Sequence, residues 1–229
     1  MIDWDKAYAA RMARVLTSEI RELQKFMRQP DMILFGGGLP EPALFPTEAL
    51  TKAYARILGD PAKAKQALQY SDTAGYMPLR EYIARYMAKL QVDCKPENII
   101  ITEGTQQGLY LAARVLLSPD DAAWTEDPAY PGLTSVLEER GVEVQRIAVD
   151  GQGFDVASAQ EMCPAARAAF VTPSHQYPMG MPLSMPRRLA LIEWARKSGG
   201  WIVEDDYDSE LRYAGQPFPA MQSLDSRRV

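Results

Sequence analysis

The spacing of apolar positions changes character along this chain, from helical repeats in its first part to short apolar runs alternating with helical repeats in the rest. Helix formers dominate residues 5–29, Ile20, Leu23 and Met27 recur at helical spacing, and Pro30 ends the segment, which predicts an N-terminal helical arm. Residues 36–46, Gly-Gly-Gly-Leu-Pro-Glu-Pro-Ala-Leu-Phe-Pro, hold too many Gly and Pro for regular structure. They predict a shaped loop whose glycines permit close backbone approach. Thr47–Leu58 and Pro78–Leu90 predict helices, the second with Leu79, Tyr82, Ile83 and Tyr86 on one face.

From residue 98 the pattern switches. Asn98–Thr102, Ala122–Thr125, Val142–Val149, Ala168–Thr172 and Trp201–Asp205 predict strands. Between them Gln106–Leu117, Gly132–Arg140 (stopped by Gly141) and Pro186–Lys197 (proline in the first turn, Gly199 beyond the end) predict helices. Strands alternating with helices of about 10–12 residues mark βαβ units, so an α/β fold with a mostly parallel sheet between two helical layers is expected. No internal repeat or low-complexity segment interrupts it.

Composition narrows the function classes. With 229 residues, 47% of them hydrophobic, the chain can bury a sizeable core. A formal net charge of −5, with no run of Lys and Arg longer than a pair, disfavours nucleic acid as a partner. Cys94 and Cys163 are far apart, as suits reduced thiols in a cytoplasmic protein. The start has no signal-peptide order and no apolar run reaches the roughly 20 residues of a membrane span, so a cytoplasmic protein without membrane partners is expected. His175 is the only histidine, which removes His-rich metal sites and, without a Ser-His-Asp context, a triad. No metal site is expected.

Four segments beside predicted strands carry candidate chemistry. In Thr102-Glu103-Gly104-Thr105-Gln106-Gln107 the backbone N–H groups and a hydroxyl at a helix start suit a phosphate, although Thr105 could equally be the helix N-cap. In Glu126-Asp127-Pro128-Ala129-Tyr130-Pro131-Gly132 two prolines stiffen the chain around a tyrosine that either stacks on a flat ligand or packs on the core edge. Thr172–Gly180 is a rigid loop that reads as a turn or as part of a site. In Trp201–Asp208 an apolar strand runs into carboxylates, and Asp205 and Tyr207 point the same way if the strand geometry continues. Asp206 and Asp208 are expected to face water or to cap the next segment.

Together these segments resemble the large domain of fold-type-I pyridoxal-phosphate enzymes, specifically the class I/II aminotransferases. The chain is similar above all to aminoadipate/kynurenine-type aminotransferases and to the aminotransferase-like domain of MocR-type regulators. The likeness rests on the order and spacing of Gly38-Leu39-Pro40, Gln69-Tyr70 with Gly75 and Leu79-Arg80, Gly104–Gln107, Asp127–Tyr130, Thr172–Pro178 and Glu204–Tyr207. It implies pyridoxal 5′-phosphate as cofactor, with Asp205 on the protonated ring nitrogen at roughly 1.5–3 kcal/mol. It also implies Tyr207 on the ring oxygen, Tyr130 on the ring face, and Gly104, Thr105 and Gln106 on the phosphate. Tyr70 would reach the phosphate of a neighbouring subunit in a homodimer, and Gly38 would lie near the substrate carboxylate.

The resemblance further implies transfer of an amino group from an amino acid to a 2-oxo acid. Residues 1–46 would form an arm and substrate loop belonging to a small domain, and 47–229 an incomplete cofactor-binding domain. Two departures stand out. Many members of the family have an asparagine before the proline of the third loop; here that position is Tyr177, as in the regulator-like branch, and His175, Gln176 or Tyr177 could take over its bond. The lysine that holds the cofactor covalently lies later in the family, and none of the eight lysines here stands in its context. No catalytic residue is therefore assigned within the chain, which by itself is expected to be an inactive fragment. The alternative expectation is a sensor domain that detects the cofactor or an amine.

Overall fold

The computed structural model describes residues 3–14, 33, 40–211 and 218–229. Its internal contacts separate two units, Thr17–Tyr76 and a larger one made of Met1–Leu16 with Met77–Val229. In the smaller unit a 3-10 turn at Pro42–Leu44 is followed by α2 (Thr47–Leu58) and α3 (Pro61–Ala67). Asp60 caps α3, its carboxylate accepting the N–H groups of Ala62 and Lys63 at 3.0 and 3.3 Å. Of the expected arm, the described part is α1 (Trp4–Ala7) and a 3-10 turn at Ala10–Arg14; residues 15–30 lie outside the described residues, as do Gly36–Leu39 of the glycine loop.

The larger unit is built on β1 (Ala122–Asp127), β2 (Glu143–Asp150), β3 (Gly153–Phe154), β4 (Ala168–Val171) and β5 (Trp201–Glu204), in the order β3-β2-β1-β4-β5. β1 pairs in parallel with β2 and β4, β4 pairs in parallel with β5, and β3 turns back antiparallel to β2. The helices are α4 (Met77–Lys89), α5 (Thr105–Leu116), α6 (Pro131–Arg140), α7 (Val156–Met162), α8 (Met185–Ser198) and the short α9 (Met221–Leu224).

Strand alternation makes the layers. Trp124, Ala169, Val171 and Ile202 point into one core with Ala159 of α7 and Leu191, Ile192, Trp194 and Ala195 of α8. Ala123, Ala168 and Phe170 point the other way, against Leu109 and Ala113 of α5 and Leu133, Val136 and Leu137 of α6. The result is the expected three-layer α/β/α sandwich, with β1 buried on both faces, as a central parallel strand must be. Trp124 anchors the first core: its ring lies 4.2 Å from that of Trp194, and its indole N–H donates to the Cys163 carbonyl at 2.9 Å. That bond removes the cost of an unpaired buried donor.

Elements expected from residue 104 onward are found within two residues of their expected bounds. Asn98–Thr102 is the exception. Pro96–Asn98 is a 3-10 turn, and 99–102 run without a ladder partner among the described residues. Their β-branched side chains favour extended backbone, but a strand exists only where a neighbour takes up its N–H and C=O groups, and Ile100 is 63% exposed. β3, α3, α7 and α9 had no expectation, being too short to show a period.

Candidate functional site

The chain leaves β1 for β2 on one side and later returns to lay β4 on the other side of β1. The C-terminal ends of β1 and β4 therefore bound a topological switch point, where open α/β sheets bind ligands. Glu126 sits in that gap, 3% exposed. Its carboxylate accepts from the Thr172 hydroxyl at 2.5 Å, the Thr172 N–H at 3.3 Å and the Gln176 side-chain amide at 3.2 Å. The same Gln176 amide donates to the carbonyls of Pro128 (2.8 Å) and Tyr177 (2.6 Å), while its oxygen accepts the Met179 N–H at 3.0 Å. Thr172 Oγ1 in turn accepts the Tyr177 N–H at 3.1 Å. One buried carboxylate thus fastens the loop after β1 to the loop after β4.

The first loop presents Tyr130 as the residue before α6, with Pro131 in the first turn. Tyr130 packs in part on the core edge, yet it also lines a cleft with Glu126, Thr172 and Asp205, and Tyr177 meets its ring edge-on at 5.7 Å between centroids. Gly132 makes this approach possible: a Cβ there would stand 2.5 Å from Tyr130 Cε1 and collide with the Gln106 side-chain oxygen. Gln106 donates its side-chain amide to the Gly132 carbonyl at 3.0 Å, tying the start of α5 to this loop.

At that start the N-cap is Gly104, not Thr105, and no side chain caps the helix. Gly104 has φ 122° and ψ 174°, a conformation open to a residue without Cβ. The N–H groups of Thr105 and Gln106 have no acceptor among the described residues, so the helix end offers donors to an anion.

β5 ends at Glu204, one residue earlier than expected, and Asp205 follows with its N–H on the Val171 carbonyl at 3.0 Å. Among the described residues no cation pairs with Asp205, Asp206 or Glu126. Burial raises the Asp205 carboxyl above its ordinary range, and the charge of Asp206 adds to the effect. Burial likewise raises Glu126, against the hydrogen bonds from Thr172 and Gln176, with Asp205 adding repulsion. Tyr207 is raised by burial and then by the charges of Asp208, Asp205 and Glu126. Asp206 is exposed, as expected, yet accepts the hydroxyls of Ser174 and Ser209; Asp208 is exposed. Chemically, the cleft offers a carboxylate at Asp205 and an aromatic side chain at Tyr130, while the start of α5 separately offers N–H donors to an anion.

Of the residues singled out in the sequence, Tyr130 and Asp205 line one cleft, Tyr177 abuts Tyr130, Gln106 abuts Gly132, and Tyr207 feels the charge of Asp205. Tyr70 belongs to the smaller unit and is 99% exposed; Gly38 lies outside the described residues. His175 lies 6.4 Å from the Tyr207 ring. Sequence reasoning missed the bracing role of Glu126, Thr172 and Gln176, and it missed Arg188. That fully buried guanidinium donates to the carbonyls of Leu183, Pro219 and Pro173 at 2.7–2.9 Å and holds the base of the loop after β4. The one available signal was the Arg187-Arg188 pair directly before the apolar run Leu189–Ile192 of α8. Among the described residues no helix is long and apolar enough to cross a membrane, and no cluster of His, Cys, Asp and Glu is placed to hold a metal ion.

Known proteins share this fold. A family model described as "Aminotransferase class I and II" matches residues 30–223. The chain is 34% identical over 225 residues to a 2-aminoadipate transaminase of Thermus thermophilus, covering 97% of this chain and 55% of that protein. It is 38% identical over 199 residues to the "probable rhizopine catabolism regulatory protein MocR" of Rhizobium meliloti, covering 86% of this chain and 39% of the other. The crystal structure of the α-aminoadipate aminotransferase LysN from Thermus thermophilus, complexed with N-(5′-phosphopyridoxyl)-L-leucine, superposes with a TM-score of 0.85 at 32% identity, over 97% of this chain and 55% of that one. The chain spans about half the length of the relatives it matches, or less. With a parallel sheet, a switch-point cleft and a match across most of its length, the chain belongs to the class I and II aminotransferase family.

Proposed function

We propose that this chain carries the cofactor cleft of a pyridoxal-phosphate-dependent aminotransferase that moves an amino group from an amino acid to a 2-oxo acid. The observation that supports this best is Asp205: a half-buried carboxylate without a cation among the described residues, lining the same cleft as Tyr130. A protonated ring nitrogen is the charge that such a site lacks. Three features support this fit: Asp205 would meet the cation and Tyr130, on the same cleft, would offer a ring face, and the free N–H groups of Thr105 and Gln106 after Gly104 would meet the phosphate. When bound, pyridoxal phosphate supplies an electron sink for the substrate α-carbon.

The protein's own part is positional and electrostatic. Asp205 holds a proton on the ring nitrogen, Tyr207 donates toward the ring oxygen, and Tyr177 supports Tyr130 edge-on. In this reading residues 47–229 form the cofactor-binding domain, and residues 1–46 supply the arm and, through Gly38, a contact to the substrate carboxylate. Tyr70 reaches across a cytoplasmic homodimer to the partner's phosphate.

Titrating the complete protein with pyridoxamine 5′-phosphate, followed by absorbance, and assaying amino-group exchange between amino acids and 2-oxo acids test the proposal. Asp205→Asn is expected to weaken binding about tenfold or more, the effect of losing one charge-assisted contact. Unchanged binding would remove the basis for the reading.

A second reading is favoured by the 38% identity to the MocR regulatory protein. There the same cleft senses cofactor or an amine without turnover. Ligand binding with no amino-group exchange across a panel of amino acids would select it.

A further inference from the structure

A second cavity lies away from the cleft, on the later turns of the two helices that begin beside it. Those turns of α5 and α6, with the 3-10 turn at Ala10–Arg14, border a space of about 340 Å³. Each element contributes one arginine to the wall: Arg11, Arg114 and Arg140. Among the described residues Glu139 is the only acidic one there. We propose that this cavity binds a small dicarboxylate, one carboxylate against Arg114 and the other against Arg140. The proposal is independent of the cofactor reading.

The charge on this wall is unbalanced. Arg11 Nε meets Glu139 Oε1 at 3.3 Å, which engages the one carboxylate. Neither Arg114 nor Arg140 has an acidic partner among the described residues. Arg114 donates from Nη1 to the phenol oxygen of Tyr110 at 3.0 Å, a neutral acceptor. Arg140 donates from Nη2 to the Leu117 carbonyl at 3.3 Å, and its Nε is buried with no acceptor among the described residues. Capping the end of α5 accounts for that one long bond and leaves the rest of the guanidinium unused. Buried donors almost always have an acceptor, so an unfilled one beside a cavity points to a missing oxygen. On a chain with a formal net charge of −5, this local excess of cations runs against the overall balance. Guanidinium forks match carboxylates in pairs of parallel hydrogen bonds.

The remainder of the wall selects the class of anion. Ala113 and Val136, 1% and 7% exposed, belong to the packed α5–α6 contact and give the cavity an apolar surface. A short methylene chain can cover such a surface, and inorganic phosphate has none to offer. Cations on two different helices match an anion with a charge at each end. Bound there, a diacid would join α5 to α6 along their later turns, as the Gln106–Gly132 hydrogen bond joins them at their starts.

The probes are glutarate, butyrate and inorganic phosphate, each titrated into the complete protein by calorimetry at constant ionic strength. Glutarate should bind about tenfold more tightly than butyrate or better, the factor for one added charge-assisted contact. It should also bind more tightly than phosphate. Arg114→Met and Arg140→Met keep most of the apolar stem and remove the charge. Each should weaken glutarate about tenfold or more.

Wild-type affinity for glutarate in either variant would place the ligand elsewhere and overturn the proposal. Butyrate or phosphate binding as tightly as glutarate would overturn it too, as would no glutarate binding up to roughly 10 mM. Should Arg140→Met not fold for want of the Leu117 bond, Arg114→Met decides alone, because Arg114 is exposed and bonds only Tyr110 among the described residues.

Discussion

Replacing Arg188 by Met should be among the most damaging single changes outside the cleft. Its guanidinium is fully buried, donates to three main-chain carbonyls at 2.7–2.9 Å and lies 5.2 Å over the Phe218 ring. It is also the cation whose charge acts on the buried carboxylate of Glu204. Three charge-assisted bonds at about 1.5–3 kcal/mol each give an upper bound near 4.5–9 kcal/mol. Water entering beside the carbonyls recovers part of that, and removing one member of a buried polar network typically costs about 3–5 kcal/mol. At about 2–4 °C per kcal/mol for a domain of this size, the melting temperature should fall by about 6–20 °C. Calorimetry with urea titration measures it. Because Glu204 also loses its compensating charge, Arg188→Met with Glu204→Gln should cost less than the sum of the two single variants. A single-variant loss under about 1 kcal/mol, the ordinary scale for an unremarkable substitution, would refute the reasoning.

Stability should respond to pH in two opposite ways. Burial raises the carboxyls of Glu126, Glu204 and Asp205, so between their ordinary values and these raised ones the folded state binds more protons than the unfolded state. Stability therefore falls as pH climbs through that window toward neutral. Asp225, held down to about 2 chiefly by Arg196, contributes stability present above its ordinary value of 3.8 and lost as pH falls toward 2. Melting scans should show a maximum in mild acid; a double Glu126→Gln, Glu204→Gln variant should flatten the neutral limb and Asp225→Asn the acid limb, and an unbent profile would contradict both. Gly132→Ala should displace Tyr130 and Gln106, costing about 1–3 kcal/mol and weakening pyridoxamine phosphate binding, as melting and titration would show. Gly104→Ala meets no atom within 4 Å, so its expected loss of about 1–3 kcal/mol is backbone strain alone. It should weaken pyridoxamine phosphate more than pyridoxamine, and an equal effect on both would separate the α5 start from phosphate binding.

By itself the sequence determined the order of helices and strands from α5 to β5, because their periods are long enough to read and prolines and glycines mark their ends. It also singled out three segments that each place a residue on the cleft: Asp127–Tyr130 through Tyr130, Thr172–Pro178 through Thr172, and Glu204–Tyr207 through Asp205. What it could not decide is anything that depends on which strand lies beside which. Asn98–Thr102 has the composition of a strand but no neighbour among the described residues, and pairing is a property of two segments. Glu126 and Gln176 are 50 residues apart and become partners only through the crossover that sets β4 against β1, and Arg188 reaches Pro219 across 31 residues. Hydrogen bonds and charge fall off within a few ångströms, so the brace at Glu126 exists in space and nowhere along the chain.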